Sequence, residues 1–208
     1  MDVIIYGAGG LGREIYDTIL SINSVENKFN ILGYVDDSSE NGAVVNNLPV
    51  LGGSLVLDKI DKNVGIILGF ADPNIRKMMH LKYKSFRPFP NIIHPTAIIS
   101  SFAKIEEAIL IQSNCVVAAN AKVGNGVMMN AHSGIGHDTN VSDYCSIMSF
   151  CDLAGNSNLG TLSFIGSGAK IIPSISIAAE SYICAGSVVF KSVVSKSKLM
   201  GNPAKIIG

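Results

Sequence analysis

The sequence predicts two domains of different class: a small α/β domain with a Rossmann-like parallel sheet, then a parallel β-helix of hexapeptide repeats. Three observations carry this. The chain opens with a hydrophobic strand running into a glycine-rich turn and a helix, "VIIYGAGGLGREIYDTIL". From His94 to Val189 it divides into sixteen hexads, each ending in Ile, Leu, Val or Met. The two patterns occupy separate stretches, which gives domains over 1–90 and 91–208.

In the first domain, Gly7, Gly9 and Gly12 match G-x-G-x-x-G between a strand and a helix. The strand "ILGYVDD" follows and ends in Asp36 and Asp37, about where a ribose-binding acid is expected. "VGIILGF" (64–70) reads as another buried strand. "ADPNIRKMMHLKYK" reads as a helix with Asp72 as N-cap and Pro73 in its first turn. Glycines let backbone N–H groups approach a phosphate at a helix N-terminus. The domain is about half the usual dinucleotide-binding size, so a mononucleotide or nucleotide-sugar fits better than NAD. His80 reads as a surface residue of the second helix. "FRPFPNIIHPTAII" (86–99) reads as the linker, with His94 in a structural role at the junction.

In the second domain, the hexads include "AANAKV", "GHDTNV" and "SDYCSI". Of 26 Ile, Leu, Val and Met residues from Ile99 to Val189, 16 fall in one phase, so the period is real. The residue two before each aliphatic is mostly Ala, Ser, Thr or Cys, with Ile109, Val127 and Ile175 as exceptions. Residues two apart on a strand face the same way, so each hexad turns one large and one small side chain inward. Three hexads make one triangular coil, and residues 18 apart stack.

Composition narrows the function. Sixteen Lys plus Arg balance sixteen Asp plus Glu, with no basic stripe, which argues against nucleic acid or a membrane surface as partner. No apolar run approaches a membrane span of ~20 residues. The first residues read as a strand and not as a leader, so a cytoplasmic protein is expected. None of Cys115, Cys145, Cys151 and Cys184 forms a C-x-x-C pair. Three of them occupy the small inward slot, so packing and no metal is the expectation.

The polar residues that stand out are in "NAHSGIGHDTNVSDYCSIMSF" (130–150). His137 lies two after inward Ile135 and should point outward at a corner. Its column is Ala119, His137, Gly155 and Pro173, which leaves room beside the imidazole. Asp138 stacks with Asn120 and Asn156, whose amides could orient it. An imidazole beside a carboxylate suits a general base, and the Gly155 N–H could stabilise an oxyanion. Ser149, Ser167 and Ala185 form a column of small residues suited to a narrow arm such as pantetheine. Spacing alone leaves a solvated corner equally open. His132, in the same stretch, has the weaker claim to chemistry.

The α/β domain with "IIYGAGGLGRE", the hexapeptides carrying "GHD" and "AGN", and the final "GNPAKIIG" resemble one family across essentially the whole chain. It is the sialic acid O-acetyltransferase and nucleotide-sugar N-acetyltransferase family of hexapeptide-repeat acyltransferases, which includes a UDP-4-amino-sugar N-acetyltransferase of bacillosamine synthesis. The resemblance implies a left-handed β-helix and a homotrimer with active sites between subunits. It implies acetyl-CoA as co-substrate, held between adjacent β-helices, and a nucleotide-sugar at the front domain. It assigns His137 as general base and Asp138 as the acid that raises its basicity. Acetyl-CoA contacts map onto Ser146, Ser167 and Ala185, and substrate contacts onto Gly9, Gly10, Leu11, Asp36, Asp37 and Gly69. Ser146 and Leu11 stand where family members carry histidine.

The expected function is therefore acetyl-CoA-dependent N-acetylation of a nucleotide-linked 4-amino-4,6-dideoxy sugar by direct transfer. O-acetylation of sialic acid or another sugar is the alternative, and a non-catalytic nucleotide-sugar-binding protein a further one. An NAD-dependent oxidoreductase would need a larger front domain.

Overall fold

The structure is a computed structural model and describes residues 1–207. It has two compact units, Met1–Pro95 and Thr96–Gly208.

In the first unit, β1 (Asp2–Tyr6), α1 (Gly10–Val25), β2 (Asn30–Val35), β3 (Val44–Val45), β4 (Leu48–Gly52), β5 (Gly65–Leu68) and α2 (Pro73–Tyr83) follow in order. The sheet runs β3-β4-β2-β1-β5. β1 pairs in parallel with β2 and β5, and β2 with β4, while β3 returns antiparallel to β4. β1 after Asp2 and β5 are continuous buried apolar runs, with α1 packed on β1 and α2 on β5. Val3, Ile4, Ile5, Tyr34 and Val35 are fully buried. Strand order reverses at β1, and open α/β sheets bind ligands in the crevice at such a point. Two motif glycines are there for space. A Cβ on Gly12 would lie 1.9 Å from the Gly7 carbonyl oxygen, and Gly7 has φ +109°. Asp72 caps α2 by accepting the Asn74 and Ile75 N–H groups.

His80 corrects the sequence expectation: it is fully buried and packs edge-on against Phe89 at 4.7 Å between ring centroids. Nor is the stretch after α2 a free linker. Phe89 and Arg87 are buried, and the Arg87 guanidinium donates to the carbonyls of Leu57, Ile60, Asp61 and Val64. That cation organises a loop whose carbonyls would otherwise be orphaned.

The second unit is a left-handed parallel β-helix. One sheet stacks Ile98–Ile99, Val116–Val117, Gly134–Ile135, Asp152–Leu153, Lys170–Ile171 and Val188–Val189. A second runs from Lys104–Ile105 to Ser176–Ile177, and a third carries Leu110–Ile111 through Met128–Met129 and Ser146–Ile147 to Lys198–Gly201. Through Val188–Val189 partners are 18 residues apart, as in Val116 with Gly134 and Gly134 with Asp152, while Lys198 pairs with Tyr182 at a spacing of 16. From Ile111 to Val189 the phase residues are buried.

Two features lie beyond the hexad pattern. Corners place non-glycine residues in the left-handed region, among them Asn120, His132, Asp138, Tyr144 and Phe150 at φ 57–62°. Each such residue costs about 1–2 kcal/mol. Cross-coil backbone bonds offset this, such as Asp138 N–H to Ala119 O at 3.0 Å and Tyr144 N–H to Asn125 O at 2.7 Å. The small slot also does more than pack. Ser133, Thr139, Ser157 and Ser163 donate to the carbonyls of Met148, Ala154, Ile172 and Ala178, and the Cys115, Cys145 and Cys151 thiols reach Asn130, Gly160 and Gly166. Every one of these bonds spans fifteen residues and ties a coil to the next.

Candidate active site

His137 and Asp138 form the corner between the strands Gly134–Ile135 and Asn140–Val141. The left-handed φ of Asp138, 57°, turns its side chain back along the corner. Its Oδ2 lies 2.8 Å from His137 Nδ1, and its Oδ1 accepts the Asn120 amide at 3.0 Å. The bond to His137, then that to Asn120, hold the Asp138 carboxyl below the usual carboxylate range. An ionised carboxylate only accepts, so Nδ1 is the donor, and in the neutral ring Nε2 then carries the lone pair. A Cβ on Gly155 would sit 2.5 Å from Nε2, so the ring lies over the bare backbone of the next rung. The side chains are 63% and 46% exposed. The arrangement is an accessible, oriented imidazole that can accept a proton.

The small-residue column lies on another corner, between the third sheet and the first. Ser167 and Ala185 are exposed there, beside Gly168 and Gly186 at φ 72° and 68°. It borders His132, whose ring stacks on Phe150 at 4.9 Å and 1°. Within one chain these residues and His137 occupy different corners. Ser146 is fully buried in the third sheet, so a ligand would reach it only if what covers it moved. Gly155 is half-buried beneath His137. A cavity of about 420 Å³ in this unit opens elsewhere, on the second sheet among Lys104, Lys122, Asn140 and Asp143.

In the first unit, Gly9 and Gly10 are exposed at the start of α1, and a Cβ on either would meet nothing within 4 Å. Space does not demand glycine there, whereas close approach of a ligand to backbone N–H groups would. Leu11 is half-buried beside them. Gly69 is packed against the carbonyl oxygens of Gly7 and Tyr6, with 3.0 Å for its Cβ to either. Asp36 accepts from Ala8 N–H at 2.7 Å and from the backbone and hydroxyl of Ser38. Burial raises its pKa, but these donors outweigh it and bring the carboxyl down to about 2. Asp37 accepts from Ser54 N–H at 2.6 Å and Tyr6 Oη at 2.8 Å, and its pKa is lowered, Ser54 first among the causes. A cavity of about 280 Å³ opens beside Asp37, next to Asn41, Ser54 and Leu55. Sequence reading missed Tyr6 and Ser54 as partners of Asp37, since nothing in the spacing marks them. Among the described residues, no three His, Cys, Asp or Glu side chains gather as a metal site, and no helix is long and apolar enough to cross a membrane.

A glycine-turn α/β unit followed by a hexapeptide β-helix is the architecture of a class of two-domain hexapeptide-repeat proteins. Residues 2–83 match the PglD N-terminal domain family. PerB from Caulobacter crescentus, in complex with CoA and GDP-perosamine, is 25% identical, with a TM-score of 0.92 over 100% of this chain and 98% of that one. The acetyltransferase domain of PglB from Neisseria gonorrhoeae, in complex with acetyl coenzyme A, is 25% identical, with a TM-score of 0.91 over 99% and 98%. Serine acetyltransferase 4 of Arabidopsis thaliana is 34% identical over 98 residues, 42% of this chain. The chain spans 28% of that enzyme's length.

Proposed function

We propose that this protein is an acetyltransferase that moves the acetyl group of acetyl-CoA directly to the amine of a nucleotide-linked 4-amino-4,6-dideoxy sugar. The observation that carries the reading is the His137–Asp138 pair, oriented by a 2.8 Å bond with Nε2 left open over Gly155. The full-length likeness to PerB, solved with CoA and GDP-perosamine, supports the two substrates. The exposed Gly9–Gly10 turn supports a phosphate-bearing acceptor at the first unit, with Leu11, Asp36, Asp37 and Gly69 around it.

In this reading the sugar amine attacks the thioester carbonyl, and His137 Nε2 takes the proton released as the C–N bond forms. Asp138 stabilises the resulting imidazolium. The Gly155 N–H faces the tetrahedral oxyanion. Collapse expels the CoA thiolate, which takes the proton back from His137, and the amide product leaves. No acyl-enzyme is needed. His137 and the Ser167–Ala185 column lie on different corners, so a site using both draws on two copies, and a homotrimer supplies them. A cytoplasmic location matches the supply of acetyl-CoA.

The test is free-thiol release from acetyl-CoA with UDP-, dTDP- and GDP-linked 4-amino sugars and with free and CMP-linked sialic acid. Release with an amino sugar, falling at least ~100-fold in His137→Ala while folding is kept, supports the reading. Release only with sialic acid moves it to O-acetylation. Full turnover by His137→Ala removes the base.

A further inference from the structure

We propose that Asn120 is a positioning residue for this reaction: its side-chain amide sets which nitrogen of His137 carries the proton. The inference rests on the reading of His137 as general base. Asn120 and Asp138 occupy the same corner one coil apart, at φ 62° and 57°. The Asn120 amide donates to Asp138 Oδ1 at 3.0 Å, and the other carboxylate oxygen, Oδ2, meets His137 Nδ1 at 2.8 Å.

Burial does not hold this carboxylate. Its side chain is 46% exposed, and solvent competes for both oxygens. Carboxylate and imidazole belong to adjacent residues at a turn, so each can swing outward independently. The amide from the neighbouring coil ties one oxygen to the solenoid frame and thereby presents the other to Nδ1. With Nδ1–H engaged, the lone pair is on Nε2, over Gly155. Without the amide, the carboxylate swings toward water and Nδ1 loses its acceptor. The ring then moves toward the Nε2–H tautomer, which a free histidine side chain prefers, and the lone pair faces the wrong way for the acceptor amine.

A purely structural role is distinguishable. Asn is also favoured at left-handed corners because its short polar side chain tolerates that backbone. Asn120→Gly keeps the corner at no steric cost, and Asn120→Asp keeps size and shape but cannot donate. If only the corner matters, both behave as wild type.

The experiment compares wild type, Asn120→Asp, Asn120→Gly and His137→Ala by two readouts. Long-range ¹H–¹⁵N correlation of the imidazole rings at about pH 8, well above the ~6.5 of an ordinary histidine, reports the tautomer, with His137→Ala assigning the signal. Thiol release gives kcat and KM. The expected result is the Nδ1–H form in wild type and a shift toward Nε2–H in both Asn120 variants. With it, kcat falls about 10-fold, the lower end for a residue behind a functional histidine, while KM for acetyl-CoA stays within about twofold and melting is unchanged. A wild-type tautomer with wild-type kcat in both variants overturns the proposal. If His137→Ala itself turns over normally, the base reading fails, and the tautomer still decides whether Asn120 positions the ring.

Discussion

Gly155 shows how much of a site can depend on a missing atom. Its would-be Cβ falls on the imidazole of His137, so Gly155→Ala should displace the ring. Thiol release should drop at least about 10-fold, in the range of misplaced general acid–base groups, with the melting temperature nearly kept because the position is half-buried on a corner. Normal turnover in that variant would mean that the ring works from another rotamer. At this scale the sequence was partly legible. The pair His137–Asp138 stands in it as a dipeptide, and the 18-residue stacking brought Asn120 beside Asp138. The burial of Ser146 was not legible, since an outward strand residue is buried only by what happens to cover it. Asp36 was marked by its place after β2, but not its use: it already accepts three internal hydrogen bonds. Its folded pKa of about 2 lies below the ordinary 3.8. The stability it contributes is therefore present above pH 4 and lost as pH falls toward 2. Asp37 acts in the same direction. Melting temperature should decline across that window, and Asp36→Asn should melt lower at neutral pH with a shallower decline. A parallel decline in the variant would assign the acid lability to other groups.

Among the elements, the helix coils carry the most transferable physics. Sequence periodicity identified the inward small slot but gave packing as its whole purpose. The structure adds a column of hydroxyl and thiol donors to the next coil, which explains why Ser, Thr and Cys recur there beside Ala. Ser163 is fully buried and donates to Ala178 O at 3.1 Å. Ser163→Ala should cost about 1 kcal/mol in a denaturant titration, the net worth of one such bond. Ala121 fills the same kind of slot without a donor and is also fully buried. Ala121→Leu should cost about 1–3 kcal/mol by overpacking, and a neutral result would show a void in the coil. In the first unit the cap at Asp72 was legible. The β3–β4 hairpin was not read, although its signal is present: Asn46 and Asn47, both at positive φ, separate two apolar pairs. α2 misled because its buried stripe is polar. Arg76, His80 and Tyr83 face inward, and Arg76 reaches the carbonyls of Phe70 and Ala71.

For the whole molecule, the sequence separated two regimes of order. The first unit is held by a twisted sheet and two helices whose partners are scattered along the chain, so its boundary was the harder part. Arg87 and Phe89 look like linker because prolines surround them, yet both are buried. The second unit repeats one local rule, and a rule read once applies to every coil. Handedness lay outside composition and spacing and came from resemblance alone.

That repetition makes the solenoid a measuring device with a unit of 18 residues. Inserting or deleting six residues between Asn120 and His137 would rotate everything after the change by a third of a turn. Asn120 would then face a different sheet from Asp138. Adding 18 would lengthen the prism and return every later side chain to its column. Duplicating residues 157–174 should therefore leave a folded protein with the Asn120–Asp138–His137 line unbroken, while duplicating 121–126 should leave strand content nearly constant by circular dichroism and lower thiol release at least about 10-fold. Length in such a protein varies in whole turns, and chemistry stays where the count stays.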